Sequence, residues 1–156
     1  VANPEVIAIA SDHAGRETKD EIVDVLRDLG FEVSDMGVNS DQSVDYPDYG
    51  VLVAGAVSEG QFKKGVLVCG TGVGMSILAN KFPGVRAALV SDVYTSRMVK
   101  EHNNANILVL GGRMVGKELA AEIVRVWLCA EFQGGRHQRR LDKITEIEKK
   151  TMKGGS

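Results

Sequence analysis

Five short apolar runs, each separated from the next by polar turns and helical periodicity, constrain this chain more than any other feature. They are VIAIA (6–10), FEVSDM (31–36), GVLVC (65–69), RAALV (86–90) and NILVL (106–110). Their β-branched richness and unbroken apolarity predict strands covered on both faces rather than strands with one face in water. Between them the spacing changes to that of helices. Ile22, Val25, Leu26 and Leu29 share one helical face, as do Leu119, Ile123, Val126 and Trp127. Tyr46-Pro47 opens a further helix, with proline in the favoured first turn.

Strand–helix alternation at this spacing means βαβ units. The predicted fold is therefore α/β: a three-layer α/β/α, Rossmann-like arrangement around a five-stranded parallel sheet. At 156 residues the chain is expected to form a single domain, 1–156. Gly134-Gly135 is the one obvious hinge. It precedes a charged helix over 137–150, with Leu141, Ile144 and Ile147 at three-residue steps, expected to pack as a C-terminal arm. Residues 151–156, ending in Gly-Gly-Ser, read as a flexible tail. A net charge of −2 gives no global attraction to nucleic acid or to an anionic membrane, and no apolar run approaches the ~20 residues that span a bilayer. No signal-peptide pattern opens the sequence, and Cys69 and Cys129 lack any CxxC or zinc-ligand spacing, so a reduced, cytoplasmic protein is expected. For Cys129, helix packing is the expected role.

In such a sheet, ligands gather at the carboxyl ends of the strands. Four of the five strand ends carry polar or glycine-rich loops: Ser11-Asp12-His13-Ala14-Gly15, Cys69-Gly70-Thr71-Gly72-Val73-Gly74, Ser91-Asp92 and Gly111-Gly112-Arg113. Ser91, Asp92 and Asp12 are also the residue types that simply cap helices. The Cys69 loop misses three familiar patterns. A dinucleotide fingerprint needs GxGxxG, but Met75 holds the third glycine position, although Asp92 stands about where a ribose-binding acid would. A cysteine-phosphatase loop needs an arginine six residues after the thiol, again the place of Met75. No Gly-Lys-Ser/Thr follows, which excludes a Walker loop. What remains is a backbone nest at a helix N-terminus, suited to an anion, with a thiol and a hydroxyl at its lip. A thiol so placed ionises readily and can act as base or nucleophile. A buried structural cysteine is the competing reading.

The three histidines, His13, His102 and His137, lie beside glycine, asparagine or arginine, and none is expected on an apolar helical stripe. His102 also suits a helix C-terminus, with an asparagine taking the left-handed turn. Arg136 and Arg140, four apart, point to one side of the last helix, and with Arg113 they could clamp a phosphate dianion. The competing reading is a solvated basic helix end.

The segments SDHAG (11–15), DYPDYG (45–50), CGTGVGMSILANK (69–81), EHNNAN (101–106), GGRMVG (111–116) and WLCAEFQGGRHQRRLDKITEIEKK (127–150) resemble the type B ribose-5-phosphate isomerases, over about residues 5 to 150. That group is related to isomerases of galactose 6-phosphate and allose 6-phosphate. The resemblance implies interconversion of an aldose phosphate and a ketose phosphate through an enediolate, with no metal and no organic cofactor. It implies Cys69 as the base moving a proton between C1 and C2, and Thr71 with the amides of Gly70, Gly72 and Gly74 holding the enediolate oxygen. His102 would open the furanose ring, assisted by Asp12, with Asn103 beside it. His13, Arg113, Arg136 and Arg140 would take the phosphate, and Tyr46 would line the sugar pocket. One branch of the family lacks the cysteine and carries a glutamate where this chain has Met75; this sequence resembles the thiol branch. Ribose 5-phosphate and ribulose 5-phosphate are the expected pair. A hexose-6-phosphate isomerase is the rival within the class, and a non-catalytic nucleotide-binding, flavodoxin-like module the rival outside it.

Topology adds one expectation. His102 lies between a helix and the next strand, at the amino edge of the sheet, whereas Cys69 lies at the carboxyl edge. A five-residue strand separates the edges by roughly 16 Å, too far for both residues to touch one pentose. His102 is therefore expected to enter the site from a neighbouring subunit, in a homodimer or a dimer of dimers.

Overall fold

The computed structural model describes residues 3–152. Five strands form one wholly parallel sheet: β1 (Val6–Ser11), β2 (Glu32–Asp35), β3 (Lys64–Cys69), β4 (Ala87–Leu89) and β5 (Ile107–Gly111), in the order β2-β1-β3-β5-β4. Each lies within two residues of the run that predicted it. The flavodoxin-like order places the last two strands the other way round, so the sheet departs from that rival at its far edge. A 3-10 turn at His13–Gly15 leads into α1 (Arg16–Asp28), followed by α2 (Tyr46–Ser58), α3 (Val73–Ala79), α4 (Val93–Glu101), α5 (Lys117–Cys129) and α6 (Arg136–Thr151).

Alternate residues along each central strand feed opposite cores, as continuously apolar parallel strands must. Ile7, Ile9, Val66, Val68, Leu108 and Leu110 pack against Ile22, Val25 and Leu26 of α1 and Ile123, Val124 and Trp127 of α5. Ala8, Ala10, Leu67, Cys69, Ile107 and Val109 pack against Val53, Ala54 and Val57 of α2 and Met75 and Ala79 of α3. Two polar groups within the first layer are matched: Trp127 Nε1 donates to the Ala105 carbonyl at 3.2 Å, and Ser96 Oγ to the Ile123 carbonyl at 2.6 Å.

The helical stripes are narrower than their sequence periods suggest. Leu29 caps α1 and is exposed, and Leu119 and Cys129 are exposed at the two ends of α5. Within the same turns Leu26, Ala120 and Trp127 are buried, so Leu29, Leu119 and Cys129 lie at the margin of the packed face rather than on it. Cys129 accordingly plays no part in helix packing. The chain leaves α5 through Gly134 and Gly135, both at positive φ (+64° and +56°), which glycine alone adopts without strain. Beyond this hinge α6 runs one residue further at each end than the expected 137–150, taking Thr151 from the expected tail; residues 153–156 of that tail lie outside the described residues. The arm rests on its own chain beside β4. Leu141 is buried, and the Glu148 carboxylate accepts the Gly84 N–H at 3.1 Å with each oxygen. Ile144 and Ile147 are exposed.

The carboxyl edge is drawn together by close backbone approach. Cys69 pairs with Gly111 in register, and the Gly112 N–H donates to the Cys69 carbonyl at 2.8 Å. A Cβ at Gly15 would stand 2.7 Å from both the Val68 carbonyl oxygen and Val68 Cγ1. Forcing a methyl group there costs about 1–3 kcal/mol by overpacking. Gly15→Ala is therefore expected to lower the free energy of unfolding by that amount, read as a lower urea midpoint with an unchanged slope.

Candidate active site

β1 and β3 are adjacent, yet the chain leaves them towards opposite edges of the sheet, so their carboxyl ends flank the crevice where such folds bind ligands. Cys69 is the last residue of β3. Its side chain is only 5% exposed and joins the apolar layer with Ala10 and Met75. Met75 is fully buried, which explains why this position reads as neither glycine nor arginine: it is core.

Gly72, at φ +83°, turns the chain from β3 into α3, with its Cα pressed against Leu89 and the Leu110–Gly111 peptide. The Thr71 hydroxyl is exposed and accepts the Val73 N–H at 3.3 Å, leaving its own proton to donate elsewhere. Two neighbours define the rim. A Cβ at Gly74 would lie 2.5–2.9 Å from the Tyr46 ring and hydroxyl, so the first residue of α2 covers the first turn of α3. A Cβ at Gly70 would lie 3.2 Å from Arg113 Nη1, and the Arg113 N–H donates to the Gly70 carbonyl at 2.9 Å. The guanidinium is thereby laid across the glycine loop.

The β1 end supplies the remaining wall. Asp12 is buried, and its Oδ1 accepts the Gly15 N–H at 3.0 Å, so it caps the 3-10 turn. His13 Nδ1 accepts the Val44 N–H at 3.1 Å. That bond fixes the neutral tautomer protonated on Nε2, which is left as the free donor. Asp92, in contrast, accepts the Thr95 N–H at 2.7 Å as the N-cap of α4, and this bond holds its carboxyl below the usual carboxylate range. The capping role of Asp92 is the one observed.

A second cluster forms at the amino edge. His102 ends α4, and the left-handed turn after it is taken by Asn104 (φ +46°), with exposed Asn103 between them. The Gln133 N–H donates to the Glu101 carbonyl at 3.0 Å, which brings the start of α6 against this turn. There His137 stacks on His102, ring centroids 4.1 Å apart and planes 10° from parallel. His137 is buried, and its Nε2 has no protein partner. The expectation that no histidine sits on an apolar stripe is corrected here. His137 and Leu141, four apart along α6, are its buried residues and share its inward face. That spacing was the signal available in the sequence.

Within one chain, then, Asp12, His13, Tyr46, Cys69, Gly70, Thr71, Gly72, Gly74 and Arg113 gather at the carboxyl edge, while His102 and Asn103 stand at the amino edge with Arg136 and Arg140 exposed on the adjoining turn of α6. A single chain does not assemble the clamp of Arg113 with Arg136 and Arg140, because the guanidinium of Arg113 belongs to the Cys69 loop and the other two belong to the His102 turn. Among the described residues no group of three or more His, Cys, Asp or Glu side chains is arranged to hold a metal ion.

The profile of the Ribose/Galactose Isomerase family matches residues 7–144. This chain belongs to that family. Its structure is similar to that of ribose-5-phosphate isomerase B from Clostridium thermocellum, with 56% identity and a TM-score of 0.91 over 93% of this chain and 98% of the other. It is similar in the same way to ribose-5-phosphate isomerase B from Mycoplasma genitalium, solved with bound ribulose-5-phosphate (45% identity, TM-score 0.90, 94% and 97% covered). In sequence it is 49% identical over 144 residues to ribose-5-phosphate isomerase B of Escherichia coli, covering 92% of this chain and 97% of that one. Membership of the ribose/galactose isomerase family makes the chain an isomerase and disposes of the non-catalytic nucleotide-binding rival. Among the described residues no helix is long and apolar enough to cross a membrane.

Burial, and after it the charges of His102, Arg136 and Arg140, hold His137 below the usual imidazole range. The unfolded chain takes up this proton near its ordinary pKa of about 6.5, whereas the folded chain resists it until lower pH. The stability contributed by neutral His137 is therefore complete above about pH 6.5 and is lost as pH falls through the lowered folded value. Between about pH 7.5 and about pH 5.5 the melting temperature is expected to fall further for the wild type than for His137→Phe. The phenyl ring keeps the stack but cannot titrate, and calorimetry at matched ionic strength reads the difference.

Proposed function

We propose that this chain interconverts ribose 5-phosphate and ribulose 5-phosphate, and that Cys69 is the base. The junction of β3 and α3 carries the reading. A thiol ends the strand, a hydroxyl with a free proton stands two residues on, a guanidinium lies over Gly70 and a phenol ring over Gly74. Aldose–ketose isomerisation needs a base beside C2 and donors for the oxyanion that grows on O1 as the proton leaves. In the forward direction Cys69 takes the C2 proton of the open-chain aldose and the C1 carbonyl oxygen becomes an enediolate oxygen held by Thr71 and the loop amides; a proton then passes from O2 to O1 and the proton on Cys69 is delivered to C1, which leaves the carbonyl at C2. Burial of the thiol keeps bulk water from exchanging that proton during the transfer. His13 and Arg113 bind the phosphate from the same edge, and Tyr46 walls the sugar. Phosphate anchoring then orients the reacting carbons through binding energy remote from them.

His102, with Asp12 at the ring oxygen, opens the furanose, and His102 comes from a neighbouring copy of the chain together with Asn103, Arg136 and Arg140. Support for this sharing is geometric: the two clusters occupy opposite edges of one sheet, and β5 runs from the His102 side to the Cys69 side. The site is thus complete only in a homodimer or a dimer of dimers, where the partner's arginines join Arg113.

Two measurements test the reading. Cys69→Ser is expected to lower kcat on ribose 5-phosphate by about 10²–10⁴, the range of general-base catalysis, with KM little changed. Hexose 6-phosphates assayed beside it read the pentose preference directly. Cys69→Ala and His102→Ala are each expected to be inactive alone. Refolded together, they should recover about a quarter of wild-type activity, since half the dimers are hybrids with one intact site. Activity retained in Cys69→Ser moves the base elsewhere, and a mixture that stays dead places both groups in one chain's site.

A further inference from the structure

Lys19 of α1 is wholly buried, with 0% of its surface exposed. A buried ammonium is tolerated only where its donors are satisfied. Lys19 Nζ donates to Asp35 Oδ2 at 2.7 Å and Asn39 Oδ1 at 3.1 Å, and stands 3.2 Å from Asp20 Oδ1. Two of these three partners are not on its own helix. Asp35 ends β2, and its other oxygen accepts the Gly37 N–H at 3.0 Å. Asn39 lies in the segment 36–45 that connects β2 to α2.

That segment carries the orientation of two side chains at the rim. Its Val44 N–H is the donor to His13 Nδ1, and its last residue, Asp45, stands at the N-cap position of the helix that opens with Tyr46. The segment has one further side-chain tie to α1, from Arg16 Nη1 to Asp41 Oδ1 at 2.9 Å, but Asp41 is 82% exposed and such a pair holds little. The start of the segment is held by backbone bonds to β1, the Ser11 N–H to the Gly37 carbonyl at 2.7 Å and the Val38 N–H to the Ser11 carbonyl at 3.0 Å, and beyond Val38 the buried side chain that holds it is Lys19, through Asn39. We propose that Lys19 is a positioning residue for the substrate phosphate: it fixes the 36–45 segment, the segment places Val44, and Val44 holds the His13 ring with Nε2–H presented to the anion. The ammonium itself is enclosed by its partners and touches no substrate. This rests on the reading that His13 binds the phosphate.

The test compares Lys19→Met, His13→Ala and the double variant, with kcat and KM measured for ribose 5-phosphate and kcat/KM for unphosphorylated ribose. Measurements are made below the unfolding transition of each variant, as read by circular dichroism. Loss of a hydrogen bond to a charged group raises KM roughly tenfold, so Lys19→Met is expected to raise KM by about that factor while kcat stays within about twofold. Activity on ribose should be unaffected, and the double variant should be no worse than His13→Ala, because both remove the same contact. Asn39→Ala, which releases the segment without stranding a buried charge, is expected to shift KM the same way and less, and it serves where Lys19→Met does not fold. A KM unchanged in Lys19→Met or, where that does not fold, in Asn39→Ala, beside a raised KM in His13→Ala overturns the role of Lys19 alone. Equal losses on both substrates, or effects that add in the double variant, reduce Lys19 to a general stabiliser and overturn the proposal. An unchanged KM in His13→Ala overturns the phosphate reading of His13, and this route with it.

Discussion

The carboxyl edge of the sheet depends on main chain touching main chain. Gly15 lies against the Val68 carbonyl, Gly112 donates to the Cys69 carbonyl, and a Cβ at Gly112 would stand 2.9 Å from the Ala14 carbonyl oxygen. The loops after β1, β3 and β5 are therefore stacked on one another with no side-chain layer between them. Contacts of this kind have no rotamers, so Cys69, the loop amides and the Arg113 backbone hold their relative positions without any ordering of long side chains. A site that must meet a small charged intermediate gains from such rigidity, because its donors need not reorganise as the charge develops.

Much of this was written in the sequence, for physical reasons that differ by residue. The five strands announced themselves because a doubly covered parallel strand has no polar face to confuse the pattern. Pro47 marked the start of α2 because its missing N–H is harmless there. The separation of Cys69 from His102 followed from connectivity alone, since every parallel strand begins at one edge and ends at the other. The misses are equally particular. Leu29 and Leu119 obey the helical period, but a period cannot say where the neighbouring layer stops. His137 obeys the period of Leu141, yet its residue type drew it towards the basic groups beside it. Lys19 stands three residues before Ile22 on the buried face of α1 and still reads as solvent-facing, because nothing local reveals that Asp35 and Asn39 close over it.

Under the proposed function, the two clusters divide the chemistry by its demands. Proton transfer at carbon needs a dry, fixed base, and Cys69 is set into the layer between sheet and α2–α3. Ring opening needs a group that exchanges protons readily, and His102 stands half-buried at a helix end, stacked on a neutral partner ring. A parallel sheet keeps these environments apart within one chain. On the proposed function, bringing them onto one sugar falls to assembly, and association of chains becomes part of the active-site architecture.

The pairing of Cys69 with Gly111 has a consequence for how the molecule comes into being. β3 is threaded long before β5, yet the carbonyls of Cys69 and Gly70 have their partners only after Gly112 and Arg113 arrive. During synthesis the Cys69 loop is present but unbraced until the last strand slots between β3 and β4. The strand that braces the loop is thus also the one that joins β4 to the rest of the sheet.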